Sequence, residues 1–91
     1  MNKKKLLARI RNSQKNVKYS DFVTLLNAFE FEYMRTSGSH NIYHNDNVPK
    51  NVNAQNKNGQ AKSYQVQQFL FLVDKYDLKM KDNYEEETEN V

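Results

Sequence analysis

The sequence predicts a small α+β domain of two layers, a three-stranded antiparallel sheet with helices on one face. Three observations predict it. Ninety-one residues leave room for one modest core. Apolar residues recur at helical spacing toward both ends of the chain and at a period of two in its middle. Turn-forming residues punctuate that middle at Ser37-Gly38-Ser39, from Asn45 to Lys50 around the single proline (Pro49), and at Asn58-Gly59.

The elements follow in order. A short basic helix spans about Lys3 to Arg11, with Asn2 as its cap and Leu6, Leu7 and Ile10 on one face. The polar stretch from Asn12 to Lys18 connects it to a second helix. There Ser20 is the expected N-cap, Asp21 suits the positive end of the helix dipole, and Phe22, Leu25, Leu26 and Phe29 form a buried stripe. From Phe31 the period becomes two, with Phe31, Tyr33 and Arg35 alternating against Glu32, Met34 and Thr36, as in a half-buried strand. Gly38 can take the positive φ of a tight hairpin, which leads into a second strand from His40 to His44. A short polar third strand runs from Val52 to Asn56. The last helix begins near Ser63 and buries Phe69, Leu70 and Val73, with Val66 and Asp77 marking further turns. One face of the sheet is left to meet a ligand.

Composition narrows the function. There is no cysteine, which excludes a disulfide scaffold, a thiolate metal site and a cysteine nucleophile. No apolar run reaches the roughly 18 residues of a membrane span, and Arg9 and Arg11 interrupt the N-terminal apolar stretch where a signal peptide needs continuity. A cytoplasmic protein with no membrane contact is expected. Charge is unevenly placed. Residues 82–91 hold five acids and no base and read as a mobile acidic tail, so residues 1–81 form the single domain and carry 14 bases against 6 acids. Seven of those bases fall in the first eighteen residues, with no acid among them. Such a body suits a polyanion, nucleic acid being the obvious one, whose backbone Lys3, Lys4, Lys5, Arg9 and Arg11 would hold; a solvated charged surface fits the composition equally well. Tyr33 and Tyr43 would stack on bases if they face outward, or pack in the core if they do not.

Two histidines are present. Residues 40 and 44 of one strand share a face but lie roughly 13 Å apart at about 3.3 Å per residue, too far to act on one phosphodiester or share one metal. No metal or cofactor is expected. His40 follows a tight turn where a strand begins, and a side chain there reaches solvent; His44 opens a polar loop. Position alone favours a half-exposed strand histidine with no task at residue 40, and more so at residue 44.

A resemblance separates them. The segment Arg35-Thr36-Ser37-Gly38-Ser39-His40 resembles the motif of HicA-family toxins, the small mRNA-cleaving halves of bacterial toxin–antitoxin pairs. So does the run Val52-Asn53-Ala54-Gln55-Asn56-Lys57-Asn58-Gly59-Gln60-Ala61-Lys62-Ser63-Tyr64-Gln65-Val66, and the likeness extends through Lys4-Lys5-Leu6-Leu7 and Tyr19-Ser20-Asp21-Phe22 to the final helix. It implies an α-β-β-β-α layer similar to double-stranded-RNA-binding domains, endoribonuclease activity (an mRNA interferase), a catalytic role for His40, and inhibition by a HicB-type antitoxin covering the active face. Gly38 and Ser39 would form the turn that positions His40, and Arg35 and Lys62 are candidates to stabilise the phosphate. Several positions depart from the family pattern. Glu30 stands where a glycine usually ends the helix, Ser63 replaces a common proline but can cap, and Ala54 and Lys57 replace larger apolar residues. An ordinary imidazole titrates near 6.5, so both its forms exist at neutral pH for acid–base work. The alternative from composition is a non-catalytic RNA-binding module on the same fold.

Overall fold

The computed structural model describes residues 2–80. The acidic-tail assignment to residues 82–91 lies outside them. No helix among the described residues is long and apolar enough to cross a membrane.

Helix α1 spans Lys3–Asn12, and the Asn2 side chain accepts the Lys5 amide at 3.0 Å as the expected cap. Its far end is closed by Gln14, whose side-chain amide donates to the carbonyls of Ile10 and Arg11. Leu6 and Ile10 are buried and Leu7 packs beside them. Helix α2 spans Tyr19–Ala28 and packs against α1. Its cap is Lys18, with no side-chain hydrogen bond, so Ser20 is not the N-cap; it lies inside the first turn, where its carbonyl accepts the Thr24 hydroxyl. The start of α2 is set instead by the preceding residues, which are stitched to a distant hairpin described below.

Helix α2 ends in a Schellman motif. The Phe31 amide donates to the Leu26 carbonyl and the Glu30 amide to that of Asn27, which requires Glu30 to take φ +66°. Glutamate thus occupies the left-handed position that favours glycine, a conformation costing a residue with a Cβ roughly 1–2 kcal/mol. The same geometry recurs after α3, which spans Ser63–Lys75: Asp77 sits at φ +49° while Leu78 donates to Val73. The helix therefore stops before Asp77, two residues earlier than the sequence pattern suggests. Its cap is Lys62, again without a side-chain bond, and Ser63 is the first helical residue rather than the cap.

Three strands form the main sheet in the order β1-β2-β3: Glu32–Ser37, His40–His44 and Val52–Ala54, all antiparallel. The expectation of a half-buried β1 fails. All six residues are exposed, because β1 is an outer strand and the register slips between Tyr33 and Arg35, leaving Met34 unmatched as a bulge. Phe31 is fully buried but belongs to the α2 cap, not to the strand. The third strand is also shorter than expected. Its ladder stops at Ala54 because the Gln55 amide donates to the Gln65 side chain instead of to β2. Asn56–Lys57 and Gln60–Ala61 then make a separate hairpin, β4 and β5, around Asn58 and Gly59, which both have positive φ. That hairpin holds the connector before α2: Tyr19 donates to Gly59 and Ala61 to Val17.

Tyr43, Val52 and Ala54 belong to the core that the helices cover, and register places Tyr43 opposite Val52 and Asn41 opposite Ala54 on that face. Ile42, on the other face, stands outside the core cluster. At the centre of the core, the Phe69 ring of α3 meets Phe22, Phe29 and Phe31 edge-on at 5.7–5.8 Å.

Replacing Glu30 by glycine relieves the left-handed strain and should stabilise the domain by about 1 kcal/mol, after the added entropy of the unfolded glycine. Urea unfolding of Glu30→Gly beside the wild type measures it, and an unchanged or lower midpoint would mean that the Glu30 side chain earns its place by a contact that offsets the strain.

Candidate functional site

The β1–β2 connection is a two-residue turn. Ser37 pairs with His40, Gly38 takes φ +62°, and Ser39 closes the loop, the arrangement of a type II′ hairpin. A Cβ at Gly38 would meet open space, so it is the backbone angle, not crowding, that selects glycine. His40 is the first residue of β2, half-buried and outside the core, and its ring makes no hydrogen bond with the described residues. A ring sealed in the apolar layer would leave no approach for a substrate; this one is reachable.

Alternation along β2 puts His40, Ile42 and His44 on the face away from the helices. Because Ile42 pairs with Arg35 and His40 with Ser37, Arg35 is the diagonal neighbour of His40 on that face, at a typical separation of about 7–8 Å. Arg35 is exposed and donates to the Met34 sulfur at 4.0 Å, and its guanidinium pairs with no carboxylate among the described residues. His44 is engaged differently: its ring lies between Asn51 at 2.8 Å and Asp46 at 3.1 Å, within its own loop. The two histidines do not form a pair.

Behind the turn is a chain of amides. Ser39 Oγ accepts from Gln55 Nε2 at 3.0 Å; Gln55 Oε1 accepts from Gln65 Nε2 at 2.8 Å; and Gln65 Oε1 accepts the Gln55 backbone amide at 2.9 Å. Gln65 is 1% exposed and Gln55 8%. Lys62 caps the same helix whose first turn carries Gln65, so it stands at this end of the molecule. Neither glutamine is legible as a site residue in the sequence, although Gln65 lies four residues before Phe69, on the stripe where an apolar residue is expected.

The cations of α1 are placed elsewhere. Their helix packs on α2, and two of them are already matched: Arg9 pairs with Asp21 at 3.1 Å, and Arg11 grips Asp74 through both nitrogens at 2.9 and 3.2 Å. Lys3, Lys4 and Lys5 lie at the start of that helix. The structure thus brings Arg35 to His40 but does not bring the α1 group to it.

Tyr43 is turned inward, 6% exposed, and is not free to stack on a base, whereas Tyr33 is exposed. Their rings meet edge-on at 6.0 Å. Tyr33 shares a hydrogen bond with Thr36, Thr36 donates to Asn41, and Asn41 donates to the Tyr19 hydroxyl at 2.7 Å, so this group ties β1 and β2 to the start of α2. Burial pushes the Tyr43 phenol above its ordinary value, and the neighbouring Tyr19 adds to the shift.

Comparison of the chain with protein-family models, with curated proteins and with solved structures found no match in any of the three. What the site can do rests on its own chemistry.

Tyr43 keeps its proton longer in the folded chain than in the unfolded one. Its contribution to stability is therefore complete below about pH 10 and is lost as pH rises through the raised folded value. Urea unfolding at pH 9 and pH 11 should show a smaller alkaline loss in Tyr43→Phe than in the wild type; equal losses would clear Tyr43 of the effect.

Proposed function

We propose that this protein is an endoribonuclease of the HicA type, the toxin half of a toxin–antitoxin pair, in which His40 moves a proton during metal-independent cleavage of mRNA. The observation that carries the reading is the placing of His40: at the exit of a braced glycine–serine turn, on the open face of the sheet, reachable, unpartnered among the described residues, and diagonal to a cation. The resemblance of residues 35–40 to the family motif supplies the reaction class.

In that reaction the RNA 2′-oxygen attacks the adjacent phosphorus and the bond from phosphorus to the 5′-oxygen breaks. One proton leaves the 2′-hydroxyl and one reaches the departing oxygen. His40 takes or gives one of these, a contribution typically of 10²–10⁴ in rate. Arg35, as the neighbouring cation, faces the charge that builds on the non-bridging oxygens. Lys62 and the exposed lysines of α1 hold the backbone without reading sequence. A HicB-type antitoxin would inhibit by covering the face that holds His40.

The test is cleavage of total RNA in the presence of EDTA by the wild type and His40→Ala. The wild type should cut; His40→Ala should lose at least about 10²-fold in rate while keeping its RNA affinity. Salt-sensitive binding with no turnover in either protein would make this a non-catalytic RNA-binding module instead. Loss of affinity in His40→Ala would reassign the ring to docking.

A further inference from the structure

Gln55 and Gln65 present a problem that the fold alone does not explain. Two amide side chains in the interior of a small domain must have every polar atom matched, and an apolar pair of similar size would fill the space without that demand. Here the match is reciprocal and almost closed. Gln65 Nε2 donates to Gln55 Oε1, Gln65 Oε1 in turn receives the Gln55 backbone amide, and the donation from Gln55 Nε2 leaves the interior to reach Ser39 Oγ at 3.0 Å. Ser39 is exposed and immediately precedes His40. The buried end of the chain is fixed by α3, where Val66 and Phe69, one and four residues after Gln65, are fully buried.

We propose that Gln55 and Gln65 are positioning residues: a buried amide clamp that holds the Gly38-Ser39 turn to helix α3 and so fixes His40 relative to the open face. The role in turnover rests on the nuclease reading above; the clamp itself does not. Apart from its own strands and the Thr36–Asn41–Tyr19 bonds one pair below it, the two-residue turn has no other tie among the described residues, and β1 beside it is exposed along its whole length and interrupted by a bulge. The Ser39 hydroxyl is where the rigid part of the molecule takes hold of the turn. Displacement of a reacting group by about 1 Å costs up to roughly 10²-fold in rate, which gives such a clamp a reason to exist.

Ser39→Ala cuts the clamp at its solvent end without opening the core, so the chain still folds. Two readouts are taken on the full chain: steady-state cleavage of a single-stranded RNA oligomer, and hydrogen exchange at the amides of Gly38, Ser39 and His40. The clamp predicts about a tenfold fall in kcat with KM within twofold, exchange at the three amides about tenfold faster, and recovery of most of both effects in Ser39→Thr, which restores the hydroxyl. A pair serving only to fill the interior predicts kcat and exchange unchanged in Ser39→Ala, and that result overturns the proposal. If the wild type cleaves no RNA, the nuclease reading falls and the exchange rates alone decide the clamp, faster exchange supporting it and unchanged exchange ending it.

Discussion

One ring organises this domain. Phe69 stands in the middle of α3 and takes three other phenylalanines edge-on: two from α2 and its cap, and one from the residue that leads into β1. A chain with 37% apolar residues has little to spare for a core. Concentrating burial in four rings lets a few side chains join both helices to the root of the sheet. Each contact adds about 0.5–1.5 kcal/mol to the area it buries. The direction in which β1 leaves the core is set where Phe31 enters this group, and the hairpin that carries His40 inherits that direction.

The cost of the arrangement appears one residue earlier. Seating both Phe29 and Phe31 against Phe69 requires the chain to reverse between them, and the reversal falls on Glu30 in the left-handed region. Beyond this point the burial ends abruptly. β1 is exposed throughout, and the hairpin is anchored through β2, where Tyr43 enters the core and the ladder to β3 runs, with two polar ties near its tip: Thr36 and Asn41 to Tyr19, and Ser39 to Gln55 and Gln65. Hydrogen bonds are directional where apolar contacts are not. Such bonds near the turn give the tip of the hairpin a defined orientation where apolar packing is lacking.

Periodicity made much of this readable. α1, the α2 stripe, the hairpin around Gly38 and the ridge of α3 all emerge from spacing, because each is decided by local geometry and by one apolar face. The misses share a different cause. Ser20 and Ser63 have the chemistry of caps, but the connectors before them are held by tertiary bonds, so the helices start one residue before Ser20 and at Ser63 itself. The third strand looked continuous to Asn56; it breaks at Gln55 because a side chain ten residues away claims the backbone amide. Phe31 and Asp77 were misplaced for a similar reason, since a Schellman turn depends on the backbone, not on residue type, when glycine is absent. Of the site, His40, Arg35 and the Gly38-Ser39 turn were visible in the motif. The glutamines were not, since nothing local marks a polar residue as buried and paired.

The whole account turns on a proton passed by one imidazole while a 2′-oxygen attacks phosphorus. The most direct measurement is single-turnover cleavage, in EDTA, of an RNA oligomer and of the same oligomer with one deoxyribose at the cut position. The account predicts that the native oligomer is cut to a 2′,3′-cyclic phosphate and that the substituted position is not cut. Cleavage of both at the same rate would contradict it.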